Sequence, residues 1–203
     1  MGSGNLRAVT KARFHPIVQL PAGTPVFDLS KGYDPEHGYS YGIGRYDEKR
    51  VGMYAGELFA GGEDAERRDI HVGIDLGAPA GTEVFAFDDG EIFLFGDNAG
   101  PGDYGPTLIT RHELDGRSLW VLLGHLSRES LIGKRRGDRF ARGDVLARIG
   151  TREENGGWNP HVHVQLSWIK PEKADLPGVV SERQRASALA VFPDPRLVLG
   201  PLY

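Results

Sequence analysis

The chain of 203 residues contains no cysteine. Disulfide staples and thiolate metal sites are therefore excluded, and any metal must be held by imidazole and carboxylate. The absence does not fix a compartment. No apolar run approaches the ~20 residues that a membrane span needs. The first residues, MGSGNLRAVTKARF, also lack the apolar core of a signal peptide. The chain is expected to be cytoplasmic as written, and extracytoplasmic if its native N-terminus is missing, because Gly-Ser-Gly at 2–4 is what a cloning scar would leave. A strong charge of one sign is lacking too. The formal net charge is -4 with both signs interspersed, which argues against a nucleic-acid partner and against a polybasic membrane anchor. The densest basic run, KRRGDR at 134–139, is broken by Gly137 and Asp138 and reads as a solvated turn.

Helical periodicity is missing before residue 180. What the chain does have is 29 glycines and 13 prolines, clustered between short apolar runs. That texture predicts an all-β fold with many turns. Strands are expected in TPVFDLS (24–30), TEVFAFD (82–88), GEIFLFG (90–96), PTLITRHE (106–113), RSLWVLLGHL (117–126), DVLARIG (144–150) and HVHVQLSW (161–168). The Asp-Gly pairs of DDG (88–90) and LDG (114–116) predict hairpin turns. Residues 1–60 read as an irregular N-terminal arm packed on a core at 61–170. A C-terminal extension, 171–203, holds at most one short helix in SERQRASALAVF.

Histidine carries the chemistry. In HVHV a strand would put His161 and His163 on one face, about 6.6 Å apart at Cα, with Val162 and Val164 on the other. That spacing suits two imidazoles on one metal, or one ligand beside one proton-transfer group, or a half-exposed strand whose polar face carries histidine. In HVGID, His71 and Asp75 would lie about 13 Å apart along a flat strand, too far to share an ion. They converge only if the chain bends at Gly73; otherwise the segment is a turn entering a strand, with Asp75 capping a neighbour. His125 ends the most apolar strand in GHLS and, taken singly, reads as a bonded core residue. His112 reads as exposed or structural, and His15 and His37 carry no spacing signal.

In order, HxGxD, APAGTxVxAxxDGxI, a strand ending GHLS, GDxxxxGxxLxxIG and NPHVH closely resemble the M23 family of zinc metallopeptidases, of the LytM and lysostaphin type. The resemblance runs from His71 to Leu166. It implies a small antiparallel β-sheet or barrel-sandwich with an open groove holding one Zn2+. It also implies that His71, Asp75 and His163 bind the metal, with His125 and His161 as the catalytic pair. The expected activity is hydrolysis of a peptide bond by a zinc-bound water, with a peptide or peptidoglycan-like substrate. The site shows no carboxylate or arginine cluster that would select a charged side chain. The sequence departs from the family at Leu123-Gly124, where tyrosine and a small residue are common, and at Gln165, where many members have glutamate. The loop TREENGGWNP is also longer than usual. The alternative is a non-catalytic binding or accessory domain of a larger multidomain protein. The tail from Ala174 resembles M23-like segments joined to an aminotransferase-like domain in larger proteins more than it resembles wall hydrolases. A cupin would want a glutamate soon after HxH, and a lipoyl carrier would want a lysine at a hairpin tip; neither is present.

Overall fold

A computed structural model describes residues 13–34, 39–60 and 66–203; His37 lies outside these. Among the described residues, twelve strands and two α-helices follow one another as β1 (Gly42–Gly44), β2 (Glu48–Lys49), β3 (Ile70–His71), β4 (Ile74–Gly77), β5 (Glu83–Phe85), β6 (Gly90–Asn98), β7 (Gly105–Leu114), β8 (Arg117–Gly124), β9 (Arg139–Phe140), β10 (Val145–Arg148), β11 (His161–Ser167), β12 (Val179–Val180), α1 (Glu182–Val191) and α2 (Arg196–Leu199). The fold is all-β and antiparallel, as the turn-rich sequence predicts. Seven strands make the main sheet in the order β1-β4-β11-β8-β7-β6-β9, with β10-β5 and β12-β3-β2 as two small sheets.

The LDG hairpin forms as expected. Asp115 and Gly116 both take positive φ (51° and 78°) between the paired ends Leu114 and Arg117, the two-residue turn that matches strand twist. The DDG segment does not form a hairpin. β5 pairs with β10 while β6 pairs with β7 and β9, so 86–89 carries the chain from one sheet to another. Neither Asp89 nor Gly90 has the positive φ that such a turn demands. Gly90 serves close approach instead, since a Cβ there would meet Arg111 O at 2.7 Å and the His112 ring at 2.8 Å.

Two further expectations change. TPVFDLS contributes only an isolated bridge at Val26 and a 3-10 turn at Leu29–Lys31. The expected short helix is α1, begun where Gln184 Oε1 accepts the Ser181 backbone N–H at 3.3 Å, but a second helical turn, α2, follows it. Among the described residues no helix is long and apolar enough to cross a membrane.

The faces of β11 divide as strand geometry requires. Val162, Val164 and Leu166 join Ile74, Leu76, Leu108, Val121 and Leu123 in the larger core. His161, His163 and Gln165 look the other way, toward a smaller cluster with Ile109, Leu122, Tyr104, Leu176, Val180 and Phe192. KRRGDR is an exposed turn around Gly137, as expected.

Candidate metal centre

Strand registers position the predicted residues. β11 pairs with β4 so that His163 faces Asp75, and with β8 so that His163 faces Gly124, one residue before His125. His71 sits on β3, flanked by Glu48 of β2 and Val179 of β12. Between β3 and β4 the strand is interrupted at Val72 and Gly73, the bend that HVGID needs. Gly73 has a second reason to be glycine. A Cβ there would lie 2.4 Å from His163 Cε1 and 2.5 Å from its Nε2.

His71 Nε2, Asp75 Oδ1 and His163 Nδ1 form a triangle with edges of 2.9, 3.0 and 3.2 Å. These are the residues whose donor atoms could hold one ion. A tetrahedral zinc with bonds of about 2.1 Å would separate its donors by about 3.4 Å, so the triangle fits to within a few tenths of an ångström. Two imidazoles and a carboxylate also suit that metal chemically. All three residues are buried.

Hydrogen bonds select the ring nitrogens. Gln165 Oε1 can only accept, so His163 Nε2 donates to it at 3.1 Å and leaves the Nδ1 lone pair on the triangle. Tyr104 Oη donates to the same oxygen at 3.2 Å, and Gln165 Nε2 donates to the Pro177 carbonyl. His71 Nδ1 lies 2.9 Å from the Arg45 carbonyl and 2.8 Å from Arg50 Nη2. One nitrogen cannot both donate to the first and accept from the second. Only donation to Arg45 leaves the Nε2 lone pair for a metal.

Both other histidines are wired through the 151–160 loop. His125 Nδ1 donates to the Asn155 carbonyl at 2.8 Å and His161 Nδ1 to the Asn159 carbonyl at 2.7 Å. Each therefore keeps a free lone pair on Nε2, and that of His161 lies 3.6 Å from Asp75 Oδ1. The two rings are 4.3 Å apart. His125 has φ of 62°, a left-handed conformation that costs on the order of 1–3 kcal/mol and sets the ring against Asn155.

Burial governs the charges. It pushes the His71 imidazolium down to about 4, helped by the Arg50 cation. Burial, then the neighbouring His161 and His163, holds His125 well below its usual value, and burial lowers His161. For Asp75 burial opposes the charge, yet His71, Arg50 and His161 together keep it well below the usual carboxylate range. Neutral His71, His125 and His161 near an ionised Asp75 are the protonation states that metal ligation and base catalysis need.

The five residues line a cavity of about 360 Å³ with Tyr54, Phe59, Tyr104 and Trp158. Arg68, Asp103, Lys173 and Asp175 also line it, charged groups from outside the motifs that the sequence singles out. His112 stands elsewhere, buried between Phe87 and Phe140 and bonded to Thr110 Oγ1 and the Asp89 carbonyl, which is a structural role. His15 is half-buried beside Phe85 and away from the site. Arg50 and Tyr104 went unread in the sequence because neither has a local spacing signal; both reach the triangle only through tertiary folding.

The model of peptidase family M23 matches residues 69–175. The DD-carboxypeptidase/endopeptidase Mpg of Neisseria meningitidis serogroup B is 31% identical over 134 residues, covering 59% of this chain and 28% of that protein. The protein of the same name from Neisseria gonorrhoeae matches with the same figures. The chain thus spans less than a third of these relatives' length. Among solved structures, a mutant catalytic domain of the prophage-encoded M23 protein EnpA from Enterococcus faecalis has a TM-score of 0.46 at 23% identity, covering 73% of this chain and 94% of that one. The catalytic domain of the antimicrobial peptidase lysostaphin from Staphylococcus simulans has a TM-score of 0.42 at 22% identity, covering 72% and 87%.

Proposed function

The chain belongs to peptidase family M23, and from that premise we propose that it is a zinc-dependent endopeptidase acting on peptidoglycan-type peptides. The observation that carries the reading is the donor triangle of His71, Asp75 and His163 beside two imidazoles with free Nε2 lone pairs. Zinc, when bound, would supply a Lewis acid that acidifies a water toward neutrality and polarises the scissile carbonyl. His71, Asp75 and His163 would hold it. His161, whose Nε2 faces the triangle, would take the proton of the attacking water. His125, the neighbouring ring, has no Nε2 proton of its own and would relay the proton taken by His161 to the leaving amine. Their Nδ1–H bonds to loop carbonyls keep both rings in the tautomer that can do this. The substrate class rests on the family resemblance and on the Neisseria relatives being named as DD-carboxypeptidase/endopeptidase.

The test is a panel of glycine-rich and D-amino-acid peptides incubated with the purified protein. Cleavage that a chelator abolishes and added zinc restores is the expected result. Binding without cleavage across the panel would replace the enzyme by a metal-holding accessory domain.

A further inference from the structure

We infer that Arg50, which lies upstream of the family-matched segment, is a positioning residue of the metal centre that holds Asp75 to one-oxygen ligation. This inference rests on the metal reading of the triangle. Arg50 is 1% exposed and among the largest wholly buried side chains. A buried guanidinium costs several kcal/mol unless its donors are matched by acceptors. Nη1 bonds Asp75 Oδ2 at 2.7 Å and Tyr54 Oη at 3.1 Å, and Nε bonds Glu48 Oε2 at 3.3 Å. The two oxygens of Asp75 are thereby divided. Oδ2 belongs to Arg50, and Oδ1 alone lies 3.0–3.2 Å from the two imidazole donors.

The backbone is built around this pair. β1 runs beside β4 with Gly44 opposite Asp75. A Cβ on Gly44 would meet Arg50 Nη2 at 2.7 Å and Asp75 Oδ2 at 2.9 Å. β2 sets Glu48 opposite His71, and the Arg50 N–H bonds the Asp69 carbonyl, so the arginine starts alongside β3 and reaches back to β4. Two pieces of chain outside the family-matched segment thus converge on one carboxylate oxygen. A catalytic zinc keeps three protein ligands and an open position. A carboxylate free to chelate with both oxygens would fill that position, and the Arg50 guanidinium occupies the oxygen that would do so.

The probe is Co2+ alone, added to the metal-free protein, with bound cobalt per chain and the visible spectrum read together. The wild type should show the intense bands of four-coordinate cobalt. Arg50→Met should bind cobalt one to one, yet lose most of that intensity as Asp75 closes on the metal with both oxygens. Arg50→Lys keeps a cation at Oδ2 and should restore much of it. Gly44→Ala, which crowds the ion pair without removing a charge, should weaken the bands as Arg50→Met does and decides the matter if that variant fails to fold. An unchanged spectrum in folded, cobalt-loaded Arg50→Met, or in Gly44→Ala if the former does not fold, overturns the inference. A wild type that takes up no cobalt overturns the metal reading itself, a separate failure.

Discussion

Two histidines on one strand face, two residues apart, differ in which nitrogen they commit. His163 commits Nε2–H to Gln165 and offers Nδ1 to the triangle, whereas His161 commits Nδ1–H to Asn159 and keeps Nε2. Gln165 therefore matters through His163. Gln165→Leu removes the near acceptor of the Nε2–H, leaving only Tyr104 Oη at 3.5 Å, and loosens the tautomer, so zinc affinity should fall about 10–100-fold. A chelator-competition titration would show it; an unchanged affinity would mean that packing alone orients the ring. His125→Ala should keep its zinc and lose about 10²–10⁴-fold in turnover, the usual contribution of a proton-transfer group. Zinc loss in that variant would move His125 into the ligand set.

At the scale of elements, the site depends on one bend and one loop. Gly73→Ala pushes a methyl group into the His163 ring and to within 2.9 Å of the Val164 carbonyl. Overpacking of this kind costs about 1–3 kcal/mol, and because the ring is what must move, zinc content should fall with Tm. A lowered Tm with full zinc would show that the ring is displaced elsewhere. The 151–160 loop is pinned by Asn155, which is wholly buried and bonds Gly157 N, Trp158 N and the Trp158 carbonyl. The strands β6, β7, β8 and β11 and the LDG hairpin were legible because their signals are local: alternation, and a turn whose residues accept positive φ. The five residues that the fold gathers around one cavity could be picked out as candidates through ordered motifs. DDG misled because its glycine is required by a neighbour's approach rather than by turn geometry. Arg50 stayed illegible because an arginine bound for burial looks in sequence like any surface arginine, and only the pairing of β2 with β3 reveals its destination.

The whole molecule holds several neutral histidines in its interior, and this makes its stability depend on pH. Burial depresses His112 to about 4 against an unfolded value near 6.5. Between those values the unfolded chain binds a proton that the native one refuses, so stability is full above about 6.5 and declines as pH falls toward 4. His112 alone accounts for at most about 3 kcal/mol of that decline. Being remote from the donor triangle, it can be tested in chelator-treated protein. His112→Phe, seated between Phe87 and Phe140, should flatten the fall in Tm between pH 6.5 and 4 relative to wild type; an identical slope would place the acid sensitivity elsewhere. At this scale the main sheet supplies Asp75, His161 and His163, the three-stranded sheet supplies His71, and Arg50 follows directly on β2. The central claim is that these pieces assemble a centre in which His163 is a ligand and His161 is not. The most direct measurement is zinc per chain, with hydrolysis rate on the same preparations, for wild type, His163→Ala and His161→Ala. One zinc in the wild type and in His161→Ala, with most of it lost from His163→Ala and turnover lost from both, is the predicted result. Equal zinc loss in the two variants, or no zinc in the wild type, would contradict the account.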